Sequence, residues 1–411
     1  MKLCTRVGLL ALAATLASGG ARAEDATYDL LYDVRLAPTE RSAQISLRVR
    51  QAKHSLRSLL LLRDPERQLG FEGDGTLIEE PEGVRWTPPE AGGTLRFSAR
   101  IDHLRDGQSY DARITDSWTV FRGDDLVPPV RARTTPGARS KARLRLRLPS
   151  QWAAAAPYAR SDDGTYLLER PERGFLRPLG WMVAARHLGV VRERVAGVSV
   201  AVAGPVGHHV HRLDLLALLR WSLPRLRAVL PLPERLLVVG AGDPMWRGGL
   251  SGPGSLFVHS SRPLLTPDGT SPLLHELFHV VLARRGAPGD DWIVEGLAEL
   301  YGLELLVRSG TISRKRYEKV LARLGERGRE VRSLRVDRSA QDVTARAVGW
   351  LHELDARIRK QSQGAASLDD VVRALAASPD ALSTERLREE AERVAGGSLA
   401  SWFDRPELVA R

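Results

Sequence analysis

The 411-residue chain contains a single cysteine, Cys4, so no disulfide can form within it. No apolar stretch is long enough to span a bilayer as a helix, which takes about 20 apolar residues. The sequence also has no internal repeat and no long low-complexity tract. These absences exclude a disulfide scaffold, a helical membrane protein and a repeat protein. They favour globular domains that are stabilised by hydrophobic cores.

The first residues have the pattern of a secretory signal. Lys2 and Arg6 precede a short apolar core at residues 7–16, and residues 21–23 read Ala-Arg-Ala, a small-x-small cleavage site. We therefore expect residues 1–23 to be a signal peptide and the mature protein to be exported, with the periplasm as its location. A disordered or anchored N-terminus is the alternative.

Basic residues outnumber acidic ones, 61 to 50, for a net charge of +11. Without Lys2, Arg6 and Arg22 of the signal, 58 basic residues face 50 acidic ones, or +8. The arginines are dispersed and the protein is expected to be exported, so we predict no nucleic-acid partner. Residues 141–148 alternate strictly between basic and apolar, which predicts a half-buried strand with an arginine face. That face is either solvated or contacts an anionic surface or an acidic peptide.

Residues 24–204 have the pattern of a β-rich domain. Short segments of alternating or apolar character are separated by proline, glycine and aspartate. Strands are predicted at residues 28–36, 43–49, 94–101, 110–114 and 141–148. This arrangement predicts an all-β sandwich or saddle, and an unrelated carbohydrate- or protein-binding β-module is the alternative.

The pattern changes near Gly204. Residues 213–230 predict a helix, residues 236–239 a short buried strand, and residues 255–259 the edge strand beside a cleft. From Ser271 the sequence is mostly helical. The predicted fold class is therefore α+β, with an all-β domain followed by a mostly helical domain.

The most informative segment is His275-Glu276-x-x-His279. Residues four apart lie on one face of a helix, so the two histidines can bind one metal ion and Glu276 can reach a water beside it. The helix has its own boundary signals, since Ser271 is a good N-cap and Gly286 suits its end. This arrangement predicts a zinc centre of the kind that hydrolyses peptide bonds.

Catalytic zinc takes three protein ligands and a water. Glu295 can supply the third ligand from a second helix that Asp290 or Asp291 caps and that ends near Gly310. Glu299 lies one turn further along and can accept a hydrogen bond from a ligand histidine, which fixes the tautomer. We expect one zinc ion per chain.

Three motifs carry a resemblance to a known group of enzymes. They lie at residues 292–301 (WIVEGLAELY), 354–359 (LDARIR) and 367–370 (SLDD). With the HExxH pattern, they resemble the gluzincin zinc peptidases, and most of all the glycyl aminopeptidase family, relatives of aminopeptidase N. The likeness is good over about residues 205–405 and weak in the β-rich half.

This resemblance implies a thermolysin-like catalytic core over residues 205–312 and a helical C-terminal part over residues 313–411. It also implies a peptide or protein substrate. The zinc ion would be held by the two histidines and Glu295, with Glu276 as the general base. The sequence does not indicate which oligomeric state the protein has.

The chain departs from the family pattern at the strand before the zinc helix. Family members often have a glutamate there that is associated with holding the free amino terminus of a substrate. This chain reads Gly248-Gly249-Leu250-Ser251, with serine in place of the glutamate. We expect this segment to be a substrate-binding edge with altered substrate capture.

A second departure concerns the tyrosine that is thought to stabilise the oxyanion in the family. No tyrosine follows Tyr317 here, and Arg346 or His352 are the candidates to replace it. Loss of one oxyanion donor costs on the order of a hundred- to thousandfold in rate. A third departure is expected at the C-terminus: members of the family often carry a PDZ-like module, and we expect this chain to lack it, since the sequence stops at Arg411.

Two functional hypotheses follow from these residues. The first is an exported zinc metallopeptidase with altered substrate capture, which the presence of Glu276 favours. The second is a periplasmic zinc- or peptide-binding protein on the same fold that has lost efficient catalysis, which Ser251 and the missing tyrosine favour.

Overall fold

The structure is a computed structural model that describes residues 27–169, 174–339 and 341–409. The predicted signal peptide, with Cys4, lies outside the described residues. The described chain has four β-sheets and ten α-helices, which confirms a mixed α+β fold. Of these ten helices, none is both long and apolar enough to cross a membrane.

The N-terminal part contains sixteen strands among the described residues. They are β1 (Thr27–Ala37), β2 (Ser42–Arg50), β3 (Leu56–Leu61), β4 (Gln68–Gly73), β5 (Thr76–Glu80), β6 (Gly83–Thr87), β7 (Gly92–Arg100), β8 (His103–Leu104), β9 (Tyr110–Ile114), β10 (Trp118–Arg122), β11 (Val130–Thr134), β12 (Arg139–Arg147), β13 (Ala153–Ala155), β14 (Ala159–Arg160), β15 (Tyr166–Leu168) and β16 (Trp181–Ala185). A short helix, α1 (Gly123–Leu126), follows β10.

These strands form three sheets. The seven-stranded sheet has the order β14-β15-β12-β1-β2-β7-β4, and a five-stranded sheet has the order β13-β16-β10-β9-β8. A four-stranded sheet has the order β11-β3-β6-β5. The part of the chain predicted to be β-rich is therefore built from packed antiparallel and mixed sheets, with their shared core between them.

Alternation along the strands decides which face of the seven-stranded sheet is buried. In β1 the side chains of Tyr28, Leu30 and Tyr32 are buried, and those between them point the other way. Strand β12 pairs in parallel with β1 and presents Ala142 and Leu144 to the same core. Its basic residues lie on the opposite face, so the predicted arginine-faced strand is confirmed, with bounds Arg139–Arg147.

The second part is a sheet covered by helices. Its strands are β17 (Leu188–Val195), β18 (Val198–Pro205), β19 (Arg235–Ala241), β20 (Gly249–Gly252) and β21 (Ser255–His259). Their order is β17-β18-β19-β21-β20, and we call this the helix-backed sheet. Its helices are α2 (Arg212–Arg227), α3 (Pro272–Leu282), α4 (Asp291–Arg308), α5 (Arg314–Arg327), α6 (Gln341–Gln361), α7 (Leu368–Ala377), α8 (Thr384–Ala395), α9 (Ala400–Phe403) and α10 (Pro406–Val409).

The helix-backed sheet is buried on both faces. On β19, Val238 belongs to the core shared with the helices, whereas Val239 belongs to a second core shared with β10 and β16. Strands β18, β19 and β21 run parallel, and such strands are continuous apolar runs because no face meets water. This packing joins the β-rich part to the helical part of the protein.

The helix-backed sheet departs from two sequence predictions. The expected boundary near residue 204 falls inside this sheet, because β18 pairs with β17 on one side and with β19 on the other. The predicted edge strand at residues 255–259 is wrong, because β21 pairs on both sides and β20 is the edge. Strand β20 is glycine-rich and lacks the apolar alternation that makes a strand visible in sequence.

Candidate metal centre

Helix α3 carries the HExxH residues. Ser271 caps the helix, since its hydroxyl accepts a hydrogen bond from the amide of Leu274 at 3.5 Å. His275, Glu276 and His279 face a large cleft. The opposite face is buried in the helical core through Leu273, Leu274, Leu277 and Phe278. The apolar face thus fixes the rotation of the helix and aims both histidines in one direction.

The ends of α3 and α4 differ in detail from the sequence prediction. Helix α3 ends at Leu282, and Ala283 adopts the left-handed conformation with φ 51°, so the predicted end at Gly286 is wrong. Asp290 is the N-cap residue of α4 but makes no capping bond with its side chain. Its carboxylate instead accepts a hydrogen bond from the Thr384 hydroxyl at 2.6 Å.

Helix α4 brings Glu295 and Glu299 next to α3. Two glycines allow neighbouring helices to approach it closely. A Cβ on Gly302 would lie 3.4 Å from the backbone nitrogen of His275, and a Cβ on Gly296 would lie 2.7 Å from the Cβ of Ala347 on α6. These approaches hold α4 between α3 and α6, with its two carboxylates beside the histidines.

His275, His279 and Glu295 form a compact donor cluster. The Nε2 atoms of the two histidines are 3.0 Å apart. Glu295 places Oε2 3.3 Å from Nε2 of His275 and Oε1 3.4 Å from Nε2 of His279. Donors about 2.0–2.1 Å from a tetrahedral zinc ion lie roughly 3.3 Å from one another. The observed spacings therefore fit a zinc ion, and among the described residues this is the cluster with three such donors.

Glu299 sets the tautomer of one histidine. Its Oε2 lies 2.9 Å from Nδ1 of His275. A carboxylate accepts hydrogen bonds, so Nδ1 carries the proton, and zinc binding would use the lone pair of Nε2.

The electrostatics of the cluster favour a cation. Burial lowers the pKa of His275, but hydrogen bonds with Glu295 and Glu299 outweigh burial and raise that pKa to about 10. Burial raises the pKa of Glu295, but hydrogen bonds with His275 and His279 hold it well below its ordinary value. The carboxylates thus stabilise positive charge between them, at the point where the three donors converge.

Glu276 lies against the edge strand of the helix-backed sheet. A Cβ on Gly249 would come 2.8 Å from Cγ of Glu276, so β20 can run past this side chain only because the position is glycine. Leu250 and Ser251 of the same strand line the cleft together with Glu276 and the three donor residues. The predicted substrate-binding edge and the donor cluster are therefore in one place. Gly248 lies one residue before β20 and hydrogen-bonds β21.

The cleft has a volume of about 1960 Å³. On one side it is lined by β1, β2 and β12 of the seven-stranded sheet, and on the other by β20, α3 and α4. The metal centre lies on the side of the cleft that α3 and α4 form.

Arg346 and His352, the two candidate oxyanion donors, do not line this cleft in the described structure. Arg346 donates a hydrogen bond to Oε1 of Glu407 at 2.9 Å. His352 lines a separate cavity of about 550 Å³, where its Nδ1 lies 3.5 Å from the Tyr317 hydroxyl. The partner of Arg346 is on α10 and that of His352 is on α5.

A polar network that the sequence did not reveal connects residues of all three motifs. The Tyr301 hydroxyl donates to Asp369 at 2.7 Å, and Arg308 donates two hydrogen bonds to the same carboxylate at 2.8 and 3.1 Å. Asp355 accepts a hydrogen bond from the amide of Leu368 at 2.7 Å. Motif residues from α4, α6 and α7 thus tie the helices behind the metal centre together. The sequence signal that could have indicated this network is the presence of Tyr301, Asp355 and Asp369 in the three motifs.

The fold and the donor cluster together fit the gluzincin class of zinc proteins, in which a glutamate on a second helix joins two histidines on the first. No protein-family model matches the chain, and no curated protein does either.

Solved structures are similar. An aminopeptidase N family protein from Idiomarina loihiensis has a TM-score of 0.62 and 15% identity, over 92% of this chain and 74% of that chain. The M1 zinc metallopeptidase from Deinococcus radiodurans has a TM-score of 0.57 and 18% identity, over 92% and 93% of the two chains. A mutant of the latter bound to a Tyr-Ser-Ala substrate has a TM-score of 0.59 and 18% identity, over 90% of each. At these identities the similarity shows a shared fold.

Proposed function

We propose that this chain is an exported zinc metallopeptidase that hydrolyses peptide bonds with a glutamate as general base. The observation that carries the proposal is the convergence of His275, His279 and Glu295 at zinc-like spacing, with Glu276 beside them in the same cleft. The structural neighbours named as zinc metallopeptidases support the same activity.

In this mechanism His275, His279 and Glu295 would hold one zinc ion per chain. The ion, when bound, supplies Lewis acidity that activates a water and polarises the substrate carbonyl. Glu276 accepts the proton of the attacking water and passes it to the leaving amine. Glu299 keeps the proton of His275 on Nδ1 and so leaves Nε2 free to bind the metal.

The edge strand β20 gives the substrate a place beside Glu276. Its outer side is not paired with another strand in the described sheet, and an extended peptide can hydrogen-bond to such an edge. Leu250 and Ser251 would then contact the peptide. The proposal includes removal of residues 1–23 on export to the periplasm.

The second candidate function is a zinc- or peptide-binding protein with weakened catalysis. It is favoured by one observation, that neither Arg346 nor His352 lines the cleft, which leaves both candidates away from a bound carbonyl. Ser251 in the edge strand is compatible with either function.

The substitutions Glu295→Ala and Glu276→Gln test the proposal. We expect the wild type to bind about one zinc ion per chain, and Glu295→Ala to lose most of it, because a ligand is removed. Glu276→Gln should keep the metal and lose turnover, because the amide cannot accept a proton. Metal content is measured by elemental analysis, and turnover with a library of peptides.

Glu234→Gln is the matched control, since Glu234 lines the same cleft outside the metal centre. It should keep both zinc and turnover. Zinc binding without turnover of any peptide would favour the binding protein, and turnover that survives in Glu276→Gln would exclude Glu276 as the base.

A further inference from the structure

The wall of the cleft opposite the metal centre is basic. Among the described residues, ten basic ones line the cleft, against five acidic ones apart from Glu276 and Glu295. Six of the ten come from the seven-stranded sheet, and we call them the basic wall: Arg48, Arg50, Arg139, Lys141, Arg143 and Arg145.

Strand register places these side chains on one face. Strand β1 runs between β2 and β12, and its residue Leu31 pairs with Arg48 on one side and Arg143 on the other. Asp29 likewise pairs with Arg50 and Lys141. Strand β1 therefore separates the basic residues of β2 from those of β12 by two strand spacings, roughly 10 Å, and both rows lie on the same face of the sheet.

Part of this positive charge has no ion-pair partner among the described residues. Arg143 lies 3.8 Å from Asp163, and Arg145 lies 3.7 Å from Asp33. Arg48, Arg50 and Lys141 are exposed and form no ion pair with an acidic side chain in the part of the chain that the structure describes. Asp29 lies between Arg50 and Lys141 and offsets part of the positive charge. The remaining like charges on this face repel one another, and an anionic partner would reduce that repulsion.

We propose that the basic wall binds the acidic segment of a peptide substrate, so that peptides rich in aspartate and glutamate are the preferred class. This inference rests on the proposed peptidase function, because the wall and the metal centre line one cleft. An extended chain bound across that cleft meets Glu276 on one side and the basic wall on the other.

The lining of the cleft favours a peptide over a nucleic acid. Single-stranded nucleic acids are held by exposed aromatic rings on which bases stack. Tyr158 is the one aromatic residue among the described lining residues, and its hydroxyl hydrogen-bonds both the amide and the carbonyl of Leu179. The basic wall therefore offers charge without stacking surfaces.

Binding is measured separately from turnover with the zinc-loaded Glu276→Gln variant. The probes are three fluorescent peptides of equal length with one shared central sequence, flanked by acidic, neutral or basic residues. At low salt we expect the acidic peptide to bind on the order of tenfold more tightly than the neutral one. The difference should shrink at 0.5 M salt, where the screening length is only about 4 Å.

Charge reversal of the basic wall locates the effect. Arg48→Glu with Lys141→Glu should abolish the preference for the acidic peptide and leave binding of the neutral peptide unchanged. Arg225→Glu, an exposed position on α2 outside the cleft, is the matched control and should keep the preference. Circular dichroism spectra and melting curves verify that the variants fold, and the milder pair Arg48→Gln with Lys141→Gln should give an intermediate loss.

Equal affinities for the three peptides, or a preference that survives charge reversal, would overturn the inference. Tighter binding of a single-stranded oligonucleotide of equal charge would overturn it as well. The proposed function is tested separately from this inference. If the wild type cleaves all three peptides equally, the peptidase function stands and the preference for acidic substrates is rejected. A preference in binding without any cleavage keeps the basic wall as a peptide site and rejects the peptidase.

Discussion

At the scale of single residues, the properties of the metal centre depend on the protonation of the His275 ring. Glu299 accepts from Nδ1 of His275, and Nε2 of the same ring points at His279 and Glu295. Without a metal, the carboxylates keep the His275 ring protonated, because its pKa is raised to about 10. A zinc ion bound at Nε2 must therefore displace a proton.

This competition predicts a pH-dependent zinc affinity. The pKa of His275 is raised to about 10, so at lower pH the metal-free protein carries a proton on this ring. Each zinc ion that binds therefore releases that proton. The apparent affinity should rise about tenfold per pH unit between pH 7 and 9 and level off above pH 10. Competition with a chelator, corrected for its own protonation, measures this slope.

Glu299→Gln is the control for that experiment. It removes one of the carboxylates that raise the pKa of His275, so its affinity should level off at a lower pH. A zinc affinity of the wild type that is flat between pH 7 and 9 would contradict the protonation state described here.

At the scale of elements, the centre depends on one strand and two helices. Helices α3 and α4 supply the donors, and β20 passes so close to Glu276 that a side chain on Gly249 would meet it. The strand therefore limits how far Glu276 can swing, which keeps its carboxylate near the cleft.

Gly249→Ala tests this contact. The added methyl group would lie 2.8 Å from Cγ of Glu276, so the general base has to shift. A misplacement of about 1 Å can cost on the order of a hundredfold in rate, so we expect kcat to fall by about 10- to 100-fold with zinc content unchanged. Steady-state kinetics on a cleaved peptide measure the loss.

Gly325→Ala is the matched control, because a Cβ at that position in α5 meets nothing within 4 Å. It should leave kcat unchanged and stabilise the helix slightly. An unchanged kcat in Gly249→Ala would show that the position of Glu276 does not depend on β20.

The sequence predicted those elements whose signals are local. Ser271 caps α3 as expected, and the alternation in β12 is visible from its own residues. Residues paired across long separations were not predictable, such as Arg308 with Asp369 or β1 with β12. Their pairing is decided by packing of the whole chain, which no short pattern contains.

The site residues likewise fall into those that local spacing predicts and those that depend on tertiary packing. The spacing of His275 and His279 is a property of one helix, so the sequence predicts that they share a face. The positions of Arg346 and His352 depend on how α6 packs, and the structure directs both away from the cleft. A donor for the oxyanion therefore cannot be chosen from sequence spacing.

At the scale of the whole molecule, a buried carboxylate joins distant segments of the helical part. Asp290 is 1% exposed, and it accepts hydrogen bonds from the Thr384 hydroxyl and amide at 2.6 and 3.1 Å. Arg335 approaches the same carboxylate at 3.3 Å. The start of α4, the start of α8 and the loop between α5 and α6 meet at this residue.

Asp290→Ala should destabilise the protein strongly. It leaves Arg335 without its buried partner, and breaking such a pair costs about 3 to 5 kcal/mol. Urea denaturation measures the free energy of unfolding. Asp268→Ala, which breaks an exposed pair with Arg323, should leave the midpoint nearly unchanged, and equal effects of the two substitutions would refute a special role for Asp290.

The seven-stranded sheet has a further consequence, for the order in which the protein assembles. Strand β1 lies inside the sheet, between β2 and β12, and its pairing with β12 joins Thr27 to Arg139. A ribosome delivers β1 long before β12, so the sheet cannot close when its central strand emerges. Pairing over such a separation is slow. Until β12 arrives, the apolar side of β1 stays open to other chains, and it is the surface that a chaperone would have to cover.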